Sequence, residues 1–94
     1  MTPPSAVTAA QCRAARGLLD WSQEDLATMA GVGIVTVRHI EAGKNQPRRA
    51  TLDVIRRAFE NNGILFVHED ETNGAGVRLL KAPPYETKSD DDRS

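Results

Sequence analysis

The chain has 94 residues, of which 39% are hydrophobic, 27% charged and 4% aromatic, so it has room for one small domain with one core. No apolar run approaches the roughly 18 residues that a membrane-spanning helix needs. Residues 1–5 lack the basic start and apolar stretch of a secretory signal. The single cysteine, Cys12, has no partner for an internal disulfide. We therefore expect a cytoplasmic protein.

The net charge of -1 is unevenly distributed along the chain. Residues 1–59 carry eight basic and five acidic side chains, a net charge of +3, whereas residues 60–94 carry four basic and eight acidic ones, a net charge of -4. A basic body suits a polyanionic partner better than the total charge suggests. The Pro-rich residues 1–7 and the acidic residues 82–94 are predicted to be disordered tails.

Capping residues and hydrophobic periodicity predict two helices in the first third of the chain. Thr8 and Gln11 have the spacing of a capping box, and the helix that follows them is predicted over residues 9–19. Ser22 is the predicted N-cap of a second, short helix. Gly31 ends this helix, because glycine adopts the left-handed C-cap conformation at little cost.

The rest of the chain changes from a helical period to a strand period. A third helix is predicted from about Gly33 to Ala42, and Thr51 is predicted to open a fourth helix that stops at Asn61–Gly63. The apolar runs 64–68 and 77–81 then predict two strands joined by a long loop, which indicates a β-hairpin. An isolated hairpin is marginally stable in water, so we expect it to pack on the helices or on another chain.

The segment 23–42 has the spacing of a helix-turn-helix, in which two short helices cross over a turn of three or four residues. Ala27 is small where the two helices approach each other closely, and Gly31 allows the sharp turn. Five apolar side chains are predicted to face inward in this motif: Leu26, Ala30, Val32, Val37 and Ile40. The alternative interpretation is a pair of core helices in some other bundle.

The runs Trp21–Ala27, Ala30–Val32 and Ile40–Lys44 resemble the Cro/cI-type (xenobiotic-response-element) helix-turn-helix family. The resemblance covers roughly residues 8–62. It implies a mainly α fold, a compact lambda-repressor-like DNA-binding domain of four or five helices, in a transcriptional regulator from a bacterium, phage or mobile element. Members bind palindromic operators, usually as dimers and often as repressors of their own promoters. Residues 63–81 lie outside the shared domain and would form a C-terminal β-hairpin extension.

The resemblance and the helical period together select candidate DNA contacts. Because Val37 and Ile40 face inward, the candidate base-reading residues are the outward ones of the third helix: Ile34, Val35, Arg38 and His39. Arg38 suits the edge of guanine, and an apolar side chain suits the methyl group of thymine; Ile34 or Val35 could instead pack on a neighbouring helix. The candidate backbone contacts lie at helix N-termini and in the basic loop: Ser22, Gln23, Thr36, Lys44, Asn45 and Arg48.

Other residues are assigned to the scaffold or offer no chemistry. Arg16 and Glu41 match a pair that forms a buried salt bridge in related repressors, so the resemblance makes them structural, together with Ala27 and Gly31. The residues His39, His68 and Cys12 lie in different predicted elements, without metal-ligand spacing. We therefore expect no enzymatic activity, no metal and no cofactor.

A single recognition helix reads only a few base pairs, so selective binding favours a two-fold dimer. The predicted dimerisation element is the hairpin 63–81, through its apolar side chains Phe66, Val67, Leu79 and Leu80. Two alternatives remain beside the operator-binding regulator. One is the antitoxin of a toxin–antitoxin pair, with the toxin as a second partner. The other is a protein-interaction module, such as an antirepressor or coactivator, which the apolar start of the third helix favours.

Overall fold

The computed structural model describes residues 7–44 and 47–81. Within these residues the chain forms helices first and a two-stranded hairpin last, as the sequence predicts. The elements are α1 Ala9–Leu19, α2 Gln23–Ala30, α3 Ile34–Glu41, α4 Arg49–Glu60, β1 Ile64–Val67 and β2 Gly76–Leu79. None of the helices in the described ranges has the length and apolar character that crossing a membrane requires.

The first two helices both begin at capping boxes. The Thr8 hydroxyl accepts from the Gln11 backbone N–H, and the Gln11 side chain accepts from the Thr8 N–H, both at 3.0 Å. Ser22 and Asp25 make the same reciprocal pair at the start of α2, both bonds at 2.9 Å. Each box satisfies two backbone donors that the first helical turn leaves open. The predicted caps at Thr8 and Ser22 are therefore confirmed.

The two helices also end alike, in a residue with left-handed backbone. Gly31, with φ of 72°, is the C-cap of α2, as predicted. Asp20, with φ of 60°, is the C-cap of α1 and the only non-glycine residue with positive φ in the described ranges. Aspartate tolerates this conformation better than most residues, because its short polar side chain forms local hydrogen bonds. The chain therefore turns sharply after each helix.

The fourth helix begins earlier than predicted. The sequence places its start at Thr51, but α4 begins at Arg49, and its N-cap residue Arg48 makes no side-chain capping bond. The Leu52 N–H donates to the Arg48 carbonyl at 3.1 Å, so Thr51 already lies inside the first turn. Burial of one side of α4 against the core, which includes the fully buried Ile55, stabilises the helix without a cap.

The core lies between the four helices and one face of the hairpin. It consists of Val7, Cys12, Ala15, Leu26, Ala27, Val37, Ile40, Ile55, Phe59, Ile64 and Phe66. Val7 belongs to it although the sequence assigns this residue to a disordered tail; the rest of that segment, and the tail 82–94, lie outside the described residues. Trp21 stacks on Phe59 with ring centroids 5.6 Å apart, and Phe66 meets Phe59 edge-on at 6.0 Å. Phe59 thus joins the helices to the hairpin.

The hairpin is antiparallel. β1 begins at the predicted Ile64 and ends one residue before the predicted run 64–68 does, whereas β2 begins one residue before the predicted run 77–81 and ends two residues before it does. Ile64 pairs with Leu79, Leu65 with Arg78, Phe66 with Val77 and Val67 with Gly76. Ile64 and Phe66 are buried against the helices, whereas Leu65 and Val67 are exposed. The Gln11 side-chain amide donates to the carbonyls of Val67 and Gly76 at 3.3 and 3.0 Å. A buried side chain of α1 therefore fastens the far end of the hairpin.

Candidate nucleic-acid interface

The two helices of the predicted motif meet over a short turn. After the C-cap Gly31, the Val32 N–H donates to the Ala27 carbonyl at 3.0 Å, and Gly33 is the N-cap of α3. Val37 and Ile40 are buried on the inner side of α3, as predicted. This packing fixes which side of α3 is presented to solvent.

The outer side of α3 carries the predicted base-reading residues, but not all of them equally. The Val35 side chain is 55% exposed, and Arg38 and His39 are also exposed. Ile34 is half-buried and packs against the core, which is the alternative that the sequence left open for it. Thr36 is half-buried as well. The freely presented side chains of α3 are thus one apolar and two polar or basic groups.

The predicted backbone contacts fall at two places. Ser22 is exposed and Gln23 half-buried at the N-terminus of α2, where open N–H groups and the helix dipole favour an anion. Lys44 and Arg48 are exposed at the two described ends of the loop between α3 and α4. Asn45 lies outside the described residues. The two places flank α3 in the sequence, one on each side.

A bidentate ion pair holds α1 and α3 together. Arg16 Nε and Nη2 each lie 2.7 Å from a carboxylate oxygen of Glu41, and Arg16 Nη1 donates to the Trp21 carbonyl at 2.9 Å. The Glu41 side chain is 4% exposed and that of Arg16 21%. Bidentate geometry and the extra carbonyl offset much of the cost of removing these charges from water. The structure therefore pairs the two residues that the family resemblance assigns to the scaffold.

Glu41 accepts more hydrogen bonds than the sequence suggests. Gln23 Nε2 donates to its carboxylate at 3.0 Å and Cys12 Sγ at 3.3 Å, while Arg13 donates to its backbone carbonyl. Burial favours the neutral form of Glu41, but the bonds from Arg16, Gln23 and Cys12 outweigh it and hold the pKa below its usual range. Burial, reinforced by the Glu41 charge, raises the pKa of the Cys12 thiol.

The bonds from Gln23, Cys12 and Arg13 to Glu41 are the part of the site that sequence reasoning missed. One signal was present: Glu41 is the last residue of α3, where the helix dipole disfavours an acid. A buried acid at that end needs cationic and hydrogen-bonding partners. The geometry adds that Gln23, a candidate phosphate contact, is oriented by the carboxylate that also binds Arg16.

The titratable residues of the described ranges do not form a metal site. In residues 7–44 and 47–81 no group of three His, Cys, Asp or Glu side chains is arranged to hold an ion. His39 lies on α3 and His68 just beyond β1, both exposed, whereas Cys12 is buried. The three residues are not brought together.

The structure corrects one of the predicted dimer contacts. Phe66 is only 8% exposed and packs inside its own chain against Phe59, so it is not available on the surface. Strand alternation places it on the face opposite to Val67. Val67, Leu79 and Leu80 are exposed, and so is Leu65, which sequence reasoning did not select.

Two short helices joined by a tight turn, the second with Val35, Arg38 and His39 on its outer side, form a helix-turn-helix. The chain belongs to the Cro/cI-type helix-turn-helix family, since the family model described as helix-turn-helix matches residues 13–62. This makes it a DNA-binding regulator with double-stranded DNA as its partner. The hairpin lies beyond the matched range. No curated protein matches the chain.

Proposed function

We propose that the protein is a dimeric repressor that acts in the cytoplasm and binds a palindromic operator, including that of its own gene, through the major groove. The observation that carries this proposal is the outer side of α3, where Val35, Arg38 and His39 are exposed while Val37 and Ile40 anchor the helix in the core. A helix supported in this way presents its first turns to base edges.

Base reading is assigned to the exposed side of α3. Arg38 has the fork geometry for the O6 and N7 atoms of guanine, and Val35 suits the methyl group of thymine. His39 donates to a base edge or a phosphate. Ile34 packs partly on the core, so it contributes less to base recognition than the exposed residues of α3.

Positioning on the duplex is assigned to the residues that flank α3. Gln23, with Ser22, meets a phosphate at the N-terminus of α2, where the dipole favours it. In this proposal Lys44, Asn45 and Arg48 hold phosphates from the loop, and Thr36 holds one from α3. The hydrogen bond from Gln23 Nε2 to the Glu41 carboxylate, 3.0 Å long, supports the phosphate contact by Gln23. A side chain that is already held in place loses less conformational entropy on binding.

A dimer follows from the small size of the reading surface. The eight residues of α3 cover too few base pairs for selectivity in a genome. Two copies on half-sites one helical turn apart, about 34 Å, double the readout. The apolar side chains that the hairpin exposes, Leu65 and Leu80 among them, are the support for placing the subunit contact there.

Footprinting and gel shifts with DNA from upstream of the gene test this function. Arg38→Ala is expected to weaken operator binding by about 1–3 kcal/mol and to relax the preference at one base pair of each half-site. Lys44→Ala is expected to weaken all sequences alike and to lower the slope of log affinity against log salt by about one for each phosphate that is no longer neutralised. Arg57→Ala, an exposed change on α4, is the control and should bind as the wild type does. An absence of any protected sequence at moderate salt contradicts the proposal.

A protein partner is the second candidate, and the exposed apolar Val35 at the start of α3 favours it. In that case the protein acts as an antitoxin or a coactivator that binds the product of a neighbouring gene. Titration calorimetry with that purified product distinguishes the two. Val35→Ala is expected to remove much of the affinity for the protein partner in this alternative, whereas in the operator-binding function it only relaxes the preference at one base pair of each half-site.

A further inference from the structure

We propose that the acidic run Asp90–Asp92 docks on a basic edge of its own chain and competes there with the phosphates of DNA. The basic edge consists of Lys44, Arg48 and Arg49, which lie at the start of α4 and in the loop before it. The inference rests on the proposed function, which assigns phosphate contacts to Lys44 and Arg48, and it adds an occupant for these side chains when DNA is absent.

The first argument is the unbalanced charge of the basic edge. Residues 42–52 carry three basic side chains and no acidic one. All three are exposed, and none belongs to the ion pairs among the described residues, Arg16–Glu41 and Arg56–Glu60. The rest of α4, residues 53–60, is balanced, with two basic and two acidic side chains. The excess positive charge of this side of the molecule is therefore concentrated at the start of α4.

The second argument is the charge of the proposed occupant. Residues 82–94 carry four acidic and two basic side chains, and three of the acids are consecutive, Asp90–Asp92. Three carboxylates in a row match the three cations of the basic edge in number and in sign. The chain has one other run of three acids, Glu69–Glu71. That run lies in the hairpin loop, where Asp70 accepts bonds from Thr72 and Asn73.

The third argument is the distance that the segment has to cover. The Leu80 N–H donates to the Gly63 carbonyl at 2.8 Å, and the Gly63 N–H donates to the Glu60 carbonyl at 3.1 Å. The described chain therefore ends beside the C-terminal end of α4. From there to Arg49 the helix measures about 17 Å, at 1.5 Å per residue. Asp90 follows Leu80 by ten residues, which span up to about 33 Å, so the acidic run can reach the basic edge.

A groove along the outer side of α4 offers a path for the segment. The groove is lined by Arg49, Asp53, Arg56, Arg57 and Glu60, which are spaced along one side of the helix from its last turn to its first. It leads from the place where the described chain ends to the basic edge.

Docking within one chain needs only weak contacts. A tether of this length holds a segment at an effective concentration on the order of millimolar, so exposed charge pairs that would not join separate molecules are sufficient. DNA phosphates bind to the same cations and have to displace the carboxylates. The chain is therefore expected to bind DNA less tightly than its basic surface alone would.

Fluorescence anisotropy of the full chain on a labelled duplex of random sequence, at about 0.1 M salt, tests the competition. The triple variant Asp90→Asn with Asp91→Asn and Asp92→Asn is expected to bind about 5-fold more tightly, because the phosphates no longer displace carboxylates. The matched control is Glu69→Gln with Asp70→Asn and Glu71→Gln, which removes the same charge from three consecutive exposed residues and keeps an acceptor oxygen at position 70. It should change the affinity less than 2-fold, since charges more than about 10 Å apart are largely screened at this salt.

NMR spectra of the free chain detect the docking without DNA. The backbone amides of Arg48, Arg49 and Ala50 should shift in the Asp90–Asp92 triple variant and stay in place in the Glu69–Glu71 control. In the wild type the same amides should move towards their positions in the variant at about 1 M salt, where charges interact over only about 3 Å.

Equal affinities of the two triple variants for the duplex, or unshifted amides at the basic edge, would overturn the inference. Failure of the proposed function looks different. If the wild type shows no preference for DNA from upstream of its gene, but the Asp90–Asp92 variant still binds the random duplex more tightly and shifts the amides, the operator-binding function alone is refuted. If footprints show a protected operator while the amides stay in place, the docking alone is refuted.

Discussion

The helical body, residues 7–62, and the hairpin, residues 63–81, are held in different ways. In the body, each of the first two helices has its own capping box and a left-handed C-cap, and the Arg16–Glu41 pair ties α1 to α3. The hairpin has a short ladder of four residue pairs. It depends on the body through the Gln11 bonds and the Phe59–Phe66 contact.

Because they are held in different ways, the two parts are expected to unfold differently. Helices as short as these are marginal on their own and depend on packing as well, but their backbone bonds and caps are local. A two-stranded ribbon has one row of ladder bonds and two open edges, so its order follows from what packs against it. The hairpin is therefore expected to open before the body does.

Phe59 is the residue whose removal should affect both parts. It is fully buried between Trp21 of the body and Phe66 of the hairpin. Phe59→Ala is expected to lower the free energy of unfolding by about 3–5 kcal/mol, through reduced burial and the cavity left behind. Urea unfolding measures it, with Leu18→Ala, a change at an exposed position, as the control. If Phe59→Ala lowers the free energy of unfolding no more than Leu18→Ala does, the two parts are not joined at this ring.

The ion pair of the body should matter far more than the ion pair on α4. Glu41→Gln leaves Arg16 without its counter-charge, and because Arg16 is partly exposed the expected decrease in the free energy of unfolding is about 2–3 kcal/mol. The matched control is Glu60→Gln, which removes the exposed i,i+4 partner of Arg56 at 2.9 Å and should cost less than about 0.5 kcal/mol. Equal decreases in the two variants, measured by urea unfolding, would contradict this ranking.

Lowering the pH should reveal how much the Glu41 carboxylate contributes to the free energy of unfolding. The folded-state pKa of Glu41 is lowered, so its stabilisation is complete above the unfolded-state pKa, about 4.3, and is lost as pH falls through the folded value. The free energy of unfolding of the wild type should therefore decrease below about pH 4.3 more steeply than that of Glu41→Gln. Parallel curves for the two proteins would show that other carboxylates dominate acid unfolding.

The smallest expected effect is confined to the hairpin. Gln11→Ala removes the amide bonds to Val67 and Gly76 and should lower the opening free energy of the hairpin by about 1–2 kcal/mol. Hydrogen exchange of the amides of β1 and β2 measures it. Thr8→Ala is the matched control, since it breaks the same capping box but keeps Gln11 Nε2 in place. Equal loss of protection in both variants would assign the effect to the cap.

The features that were predictable from sequence are those with a local cause. Thr8, Ser22 and Gly31 each have a residue type whose backbone preference or side chain produces the cap. Val37 and Ile40 face inward because their spacing follows the helical period. For the same reason the outer side of α3 was placed correctly apart from Ile34, whose half-burial depends on a neighbouring helix.

The features that were missed depend on distant parts of the chain. Phe66 and Val67 are adjacent and equally apolar, so composition alone selects both for a surface, although alternation permits only one of them to face outward. The choice follows from which face Phe59 covers. The start of α4 was misplaced for a similar reason, because its N-cap carries no capping side chain and packing sets where it begins. Gln11 was recognised as a cap, but its bonds to carbonyls 56 and 65 positions away have no local signal.

The buried Cys12 offers a built-in reporter of motion in this protein. It is the only cysteine of the chain, it has no exposed surface, and its raised pKa keeps the thiol protonated and unreactive. An alkylating reagent can therefore react only when α1 separates from Glu41 and the core. The rate of labelling under native conditions, compared with that of a free thiol, measures how often this opening occurs. Repeating it with operator DNA present would show whether binding at α3 restrains a helix on the other side of the Glu41 cluster.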